Sequence, residues 1–172
     1  MLITSWQAAQ ANATVAGSAI VLAIVAVLIA LVAHEAGHVV AARLLRGRLI
    51  PAVWGPGALV ALLFLPFHAA TGPFFAERFR QRDGGARGTW RFHIAGPLAN
   101  ALVGLVAFLA FLAVPAPAFR LIAQVQLAAI AYTLLPIRPL DGWALRRERP
   151  RVLLALGFAV VAAAAAFSLG LL

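Results

Sequence analysis

From Ala13 to Ala33 the chain carries no charged residue and no proline, and most positions are alanine, valine, leucine or isoleucine. As a helix rising 1.5 Å per residue this run is roughly 31 Å long, enough to cross a hydrocarbon core. The rest of the chain agrees. Of its 172 residues 64% are hydrophobic and 11% charged, with a mean hydropathy of +0.98, more apolar surface than a soluble domain of this size can hide. The expected fold class is a membrane all-α protein, a single domain over residues 1–172 embedded in a lipid bilayer.

The first run continues without proline through His34 to Leu45, so the first span is expected over 13–45. Further apolar runs predict spans over 94–114, 121–137 and 152–172, the second closed by Pro115-Ala116-Pro117. The stretch between the first two spans reads differently. Prolines and glycines punctuate it, and Leu49–Trp54 and Ala58–Leu65 flank the turn signal Gly55-Pro56-Gly57. This predicts a re-entrant β-hairpin over 48–70, with a short helix at Ala58–Leu65 as the alternative, followed by a basic loop over 76–91. No basic region precedes the first run, which therefore does not read as a cleavable signal peptide.

All fourteen positive charges are arginines, and the formal charge is +9. If the hairpin does not span, every arginine except Arg120 falls on one side of the membrane. That asymmetry is a topology signal: the N-terminus outside the cell membrane and the basic loops in the cytoplasm. It removes the reason to expect nucleic acid as a partner.

With no cysteine in the chain, a metal here must take nitrogen and oxygen ligands. His34-Glu35-Ala36-Gly37-His38 sits at the end of the first apolar helix. Two histidines four apart share a helix face and bind one zinc ion, while Glu35 takes a proton from the metal's water. A shuffled chain of this composition gives the pattern on the order of 0.002 times. Three ionisable groups within five residues of a membrane helix are costly, which favours function over packing. Zinc needs a third protein ligand. Asp141 is the best placed acid, at the cytoplasmic end of the third span, where Pro136 and Pro139 break the helix and Gly142 permits a sharp turn. The chemistry this predicts is hydrolysis of a peptide bond, with one zinc per chain lowering the pKa of a water and polarising the scissile carbonyl. A membrane protein that binds or carries a divalent metal without proteolysis is the alternative. His68 and His93 read as loop and interfacial residues, Glu77, Asp83 and Glu148 as surface partners of arginines, and Arg138 as snorkelling to headgroups.

His34–His38, Ala95-Gly96-Pro97-Leu98-Ala99-Asn100 and Leu134-Leu135-Pro136-Ile137-Arg138-Pro139-Leu140-Asp141-Gly142 resemble, in order and placement, the three signature segments of site-2 proteases. The resemblance implies a three-helix intramembrane core holding zinc through His34, His38 and Asp141. It further implies Glu35 as catalytic acid/base, Asn100 in a polar role beside the site, and a transmembrane protein or peptide as substrate. The chain resembles a minimal core without PDZ or CBS domains. It departs from the family at Thr133, where asparagine is usual and substrate positioning is at stake, and at Trp143, where a second glycine often follows Asp-Gly.

The topology is testable with introduced cysteines. Cysteines near Gln10 and Pro117 are expected to react with an impermeant thiol reagent from outside, and cysteines near Gln81 and Glu148 to be protected. External labelling near Gln81 would mean that the stretch after the first span crosses the bilayer.

Overall fold

The structure, a computed structural model, describes residues 2–53, 75–81 and 89–168. Helix α1 (Leu2–Leu44) is followed by strand β1 (Gly47–Val53), strand β2 (Phe75–Gln81), and helices α2 (Trp90–Ala113), α3 (Pro117–Thr133), α4 (Asp141–Glu148) and α5 (Pro150–Ser168). Gly17–Leu44 and Trp90–Ala113 are long and apolar enough to cross a membrane. The protein covers little of either: 11% of the most apolar window of the first and 22% of that of the second is buried. Ile20, Ile24, Leu28 and Leu31 on α1 and Leu102, Leu105 and Leu109 on α2 are exposed, so both helices present apolar surface that the rest of the protein does not cover.

The predicted spans differ from the helices mainly at their ends. The third expected span ran to residue 137, but α3 stops at Thr133. The chain then turns tightly, with Leu135 N–H donating to Tyr132 O, Ile137 N–H to Leu135 O and Leu140 N–H to Ile137 O. Proline has no N–H to continue a helix, and the residue before it is pushed out of the α region, so Pro136 and Pro139 keep this segment unwound until α4 begins at Asp141. The fourth expected span corresponds to α5, a shorter apolar helix.

At its C-terminal end α1 turns through Arg46, whose φ of 51° lies in the left-handed region where helices commonly end. Strand β1 matches the first arm of the expected hairpin, but its partner does not. β1 pairs antiparallel with β2, from Gly47 opposite Gln81 to Val53 opposite Phe75. The return strand thus occupies the front of the segment expected to be a basic loop. The expected arm or helix at 58–65 lies outside the described residues. The register follows from packing: Phe79 stacks on Phe92 of α2, ring centroids 4.8 Å apart, among Ala41, Ala42 and Leu45 of α1.

Small residues set the helix spacing. A methyl group at Gly37 would collide with the Ala95 carbonyl and come within 2.9 Å of the Ala99 Cβ, so α1 and α2 cross backbone to backbone. On the other face of α2, Gly104 lies against Gln126 of α3. A second apolar seam joins Ile130 and Leu134 to Leu145 of α4, with Trp90, Ile94 and Leu153 around them. Glu148, expected to pair with arginines, caps α2 instead. Its carboxylate accepts Trp90 N–H at 3.0 Å and the Thr89 hydroxyl, satisfying donors at the helix N-terminus where negative charge is favoured.

Gly142 is held where no side chain fits, because a Cβ would strike the Leu134 carbonyl, whereas one at Gly157 on α5 would meet nothing within 4 Å. Gly142→Ala is expected to lower stability by about 1–3 kcal/mol, the cost of forcing atoms into a packed site. Gly157→Ala should be neutral or stabilising by up to about 1 kcal/mol. Thermal unfolding in detergent, followed by circular dichroism, distinguishes them; equal midpoints would refute the close approach of α4 to α3.

Candidate metal centre

Three chain segments far apart in sequence meet at one point. His34 and His38 lie one turn apart on α1, with ring centroids 4.7 Å apart and planes at 79°. Asp141, 8% exposed, enters from the first turn of α4. The two histidine Nε2 atoms are 3.1 Å apart. Asp141 Oδ2 stands 3.1 Å from His34 Nε2 and 3.4 Å from His38 Nε2. These separations are those of a shared metal: with bonds of about 2.0–2.1 Å, the edge of a tetrahedral zinc site is about 3.3 Å.

The neighbours fix the proton positions. His38 Nδ1–H donates to the Phe92 carbonyl at 3.0 Å, which leaves the neutral ring's Nε2 with its lone pair. Among the described residues, His34 Nδ1 lies 3.5 Å from Asn100 Nδ2, and Asn100 Oδ1 is buried without a partner, so the carboxamide is better satisfied when flipped. With that oxygen turned to His34, Nδ1–H is satisfied and Nε2 carries a lone pair there too. Two nitrogen lone pairs and a carboxylate oxygen then converge, and either protons on the rings or a shared metal ion resolves their repulsion. Their chemistry, two imidazoles and one carboxylate without thiolate, fits a divalent transition metal with three protein ligands.

The fourth contributor is His93, read from sequence as interfacial. Its Nδ1 lies 2.8 Å from Asp141 Oδ1, the oxygen turned away from the other two histidines. A ligand carboxylate braced in this way keeps its orientation. Burial raises the Asp141 pKa, but when the two Nε2 atoms carry protons in place of an ion, hydrogen bonds with His34, His38 and His93 outweigh it and hold the carboxyl well below the usual range. On α2, His93, Gly96 and Asn100 follow one another at i, i+3 and i+7, a single helix face. Gly96 completes that face: a Cβ there would press into the His34 ring at 2.5–2.7 Å. That spacing was the signal in the sequence.

The other predicted site residues are placed as follows. Glu35 follows His34 on α1 and is exposed, and among the described residues its side chain makes no hydrogen bond or ion pair. Asn100, 1% exposed, stands against His34. Thr133 turns its hydroxyl back into α3, donating to Ala129 O at 3.0 Å and Ile130 O at 3.2 Å, so it is engaged by its own helix. The Arg138 guanidinium lies over the Trp143 ring, 5.0 Å from its centroid. His68 lies outside the described residues.

No family model, curated protein or solved structure matches this chain. The reading of the site therefore stands on its geometry: His34, His38 and Asp141 form a group able to hold a metal ion, their ligand atoms all within 4.8 Å of one another.

Purified protein is expected to carry about one zinc per chain by elemental analysis. Alanine at His34, His38 or Asp141 should abolish retention, and His93→Ala should weaken affinity by about 10–100-fold, as loss of a supporting partner does. Full occupancy in Asp141→Ala would remove the aspartate from the ligand set.

Proposed function

We propose that the chain is a zinc-dependent intramembrane endopeptidase of the site-2 protease type, cleaving peptide bonds within or beside transmembrane segments of other proteins. The observation that carries this reading is the triangle of His34 Nε2, His38 Nε2 and Asp141 Oδ2, two of whose corners lie on the helix that also bears Glu35. Two of its ligands end a helix long enough to cross a bilayer, and intramembrane ionisable groups are by default functional. In this reading all four apolar helices lie in the membrane, with the N-terminus outside and the site toward the cytoplasm.

His34, His38 and Asp141 would hold a zinc ion, which when bound would supply Lewis acidity to a water and to the scissile carbonyl. The Glu35 carboxylate takes the water's proton and returns it to the leaving amine. His93 and Asn100 hold the ligands in orientation, so that little reorganisation accompanies reaction. A helical peptide bond is shielded and its carbonyl already bonded, so the substrate must unwind locally. Among the described residues strands β1 and β2 pair only with each other, and the outer edge of such a ribbon could take up an extended segment.

A membrane protein that binds or carries a divalent metal without proteolysis is the second reading. It is favoured by the Thr133 hydroxyl, committed to its own helix where site-2 proteases usually have asparagine. Such a protein needs the three ligands but not Glu35.

Glu35→Gln separates the two. It keeps the size of the side chain and removes its basicity, so zinc content should persist while cleavage of a membrane-embedded substrate falls by about 10²–10⁴-fold. Thr133→Asn should raise cleavage without changing zinc content. Undiminished cleavage by Glu35→Gln would overturn the proposed chemistry. Bound zinc with no cleavage by wild type or Thr133→Asn would favour the metal-binding reading.

A further inference from the structure

Helix α4 divides its residues between two faces. Asp141, Leu145 and Glu148, at i, i+4 and i+7, turn inward: to the three histidines, to the Ile130–Leu134 seam and to the first turn of α2. Trp143, Arg146 and Arg147, at i, i+3 and i+4, lie on the other face, and both arginines are exposed. Arg138, exposed in the unwound segment before the helix, joins them. Its guanidinium lies 5.0 Å from the centroid of the Trp143 ring, and that of Arg146 lies 5.7 Å from the same centroid. Trp90, at the start of α2, is flanked in the same way by Arg91 at 5.7 Å and Arg149 at 5.5 Å. Among the described residues no carboxylate pairs with any of these five arginines, because Asp141 and Glu148 are both engaged on the inner face. Apolar surface adjoins the charge: Leu135 and Ile137, just before Arg138, are 41% and 57% exposed.

We propose that the outer face of α4 is a headgroup site for an anionic phospholipid. The lipid phosphate lies against Arg138, Arg146 and Arg147, Trp143 sits where headgroup meets acyl chain, and the chains run over Leu135 and Ile137. The chemistry selects the occupant. Arginines gathered without a counter-charge repel one another, and a bound anion relieves that repulsion. The guanidinium fork matches the paired oxygens of a phosphate. An indole with one apolar and one wet side suits the membrane interface, and it is already pinned here between two cations. A soluble polyanion, whether nucleic acid or acidic peptide, would satisfy the arginines but leave Leu135 and Ile137 in water. A zwitterionic lipid brings its own positive group to a surface that has no acid free to receive it. The same short helix thus faces the metal centre with one side and the lipid headgroups with the other.

The proposal rests on the membrane placement given above to α3 and α5 and not on the endopeptidase chemistry, so it is tested by lipid binding without any cleavage assay. Full-length protein is placed in nanodiscs of equal phosphatidylcholine and phosphatidylglycerol, and native mass spectrometry of the released protein counts the lipids it retains. Wild type is expected to retain phosphatidylglycerol preferentially. Arg138→Gln with Arg146→Gln should lower that preference about tenfold or more, since each arginine at an anionic surface contributes about a fivefold factor. Arg43→Gln with Arg48→Gln removes the same charge from two exposed positions on α1 and β1, and should leave the preference unchanged. Trp143→Leu, which keeps an apolar side chain and every arginine, should lower it severalfold. Equal losses in the two double variants would overturn the site and leave a diffuse attraction to net charge. No preference for phosphatidylglycerol in wild type would overturn it as well. Hexaglutamate binding to protein in pure phosphatidylcholine nanodiscs, lost on Arg138→Gln with Arg146→Gln, would in that case assign the face to an acidic peptide.

Discussion

Two imidazole lone pairs and a carboxylate oxygen brought within 3.4 Å of one another repel unless something positive lies between them. The surrounding structure is arranged to bring them together nonetheless. The Phe92 carbonyl fixes one imidazole, Asn100 stands against the other, and His93 braces the far oxygen of the carboxylate. Because α2 provides all three supports while α1 and α4 provide the ligands, the centre is only as good as the fit of α2 against its neighbours. Metal and fold are therefore linked: whatever stabilises the assembled triangle also stabilises the helix packing.

That fit is made by absent side chains and one charge. Gly37 lets the α1 and α2 backbones touch, Gly96 makes room for the His34 ring, and Gly142 lets α4 dock under the end of α3. At the other end of α4, the Glu148 carboxylate grips the first turn of α2. Asp141 and Glu148, at the two ends of one short helix, thus both face α2, one through His93 and one through its exposed N-terminal donors. Sliding α4 by one residue would break both.

What the sequence disclosed follows from the range of the forces involved. His34, Glu35 and His38 were legible because helical periodicity alone puts the two histidines on one face. Asp141 was legible because Pro136 and Pro139 mark an unwound segment that ends at an acid, and the arginine asymmetry led to the expectation that this acid and the histidines lie at one end of the spans. His93 and Glu148 were misread for a shared reason: each looks like an interfacial residue until the element it touches is known, and their partners lie 48 and 58 positions away. The second strand was misplaced on similar grounds. Phe75–Gln81 carries charges that resemble a loop, and its pairing is settled by Phe79 reaching Phe92, a contact that no local pattern announces.

The stack of aromatic rings has a further consequence. Phe79 lies on Phe92 at 15°, and Phe92 lies on His38 with centroids 4.5 Å apart, so three rings connect a β-strand to a metal ligand. Rings in van der Waals contact do not slide independently, because close-packed interiors transmit displacement rather than absorb it. If the proposed centre holds an ion and the proposed substrate adds a strand that shifts β2, the shift also reaches the His38 ring, and the two occupancies become energetically coupled. Thermodynamic reciprocity then requires that the ion tune the ribbon's hold on a peptide by the same factor that the peptide tunes the hold on the ion.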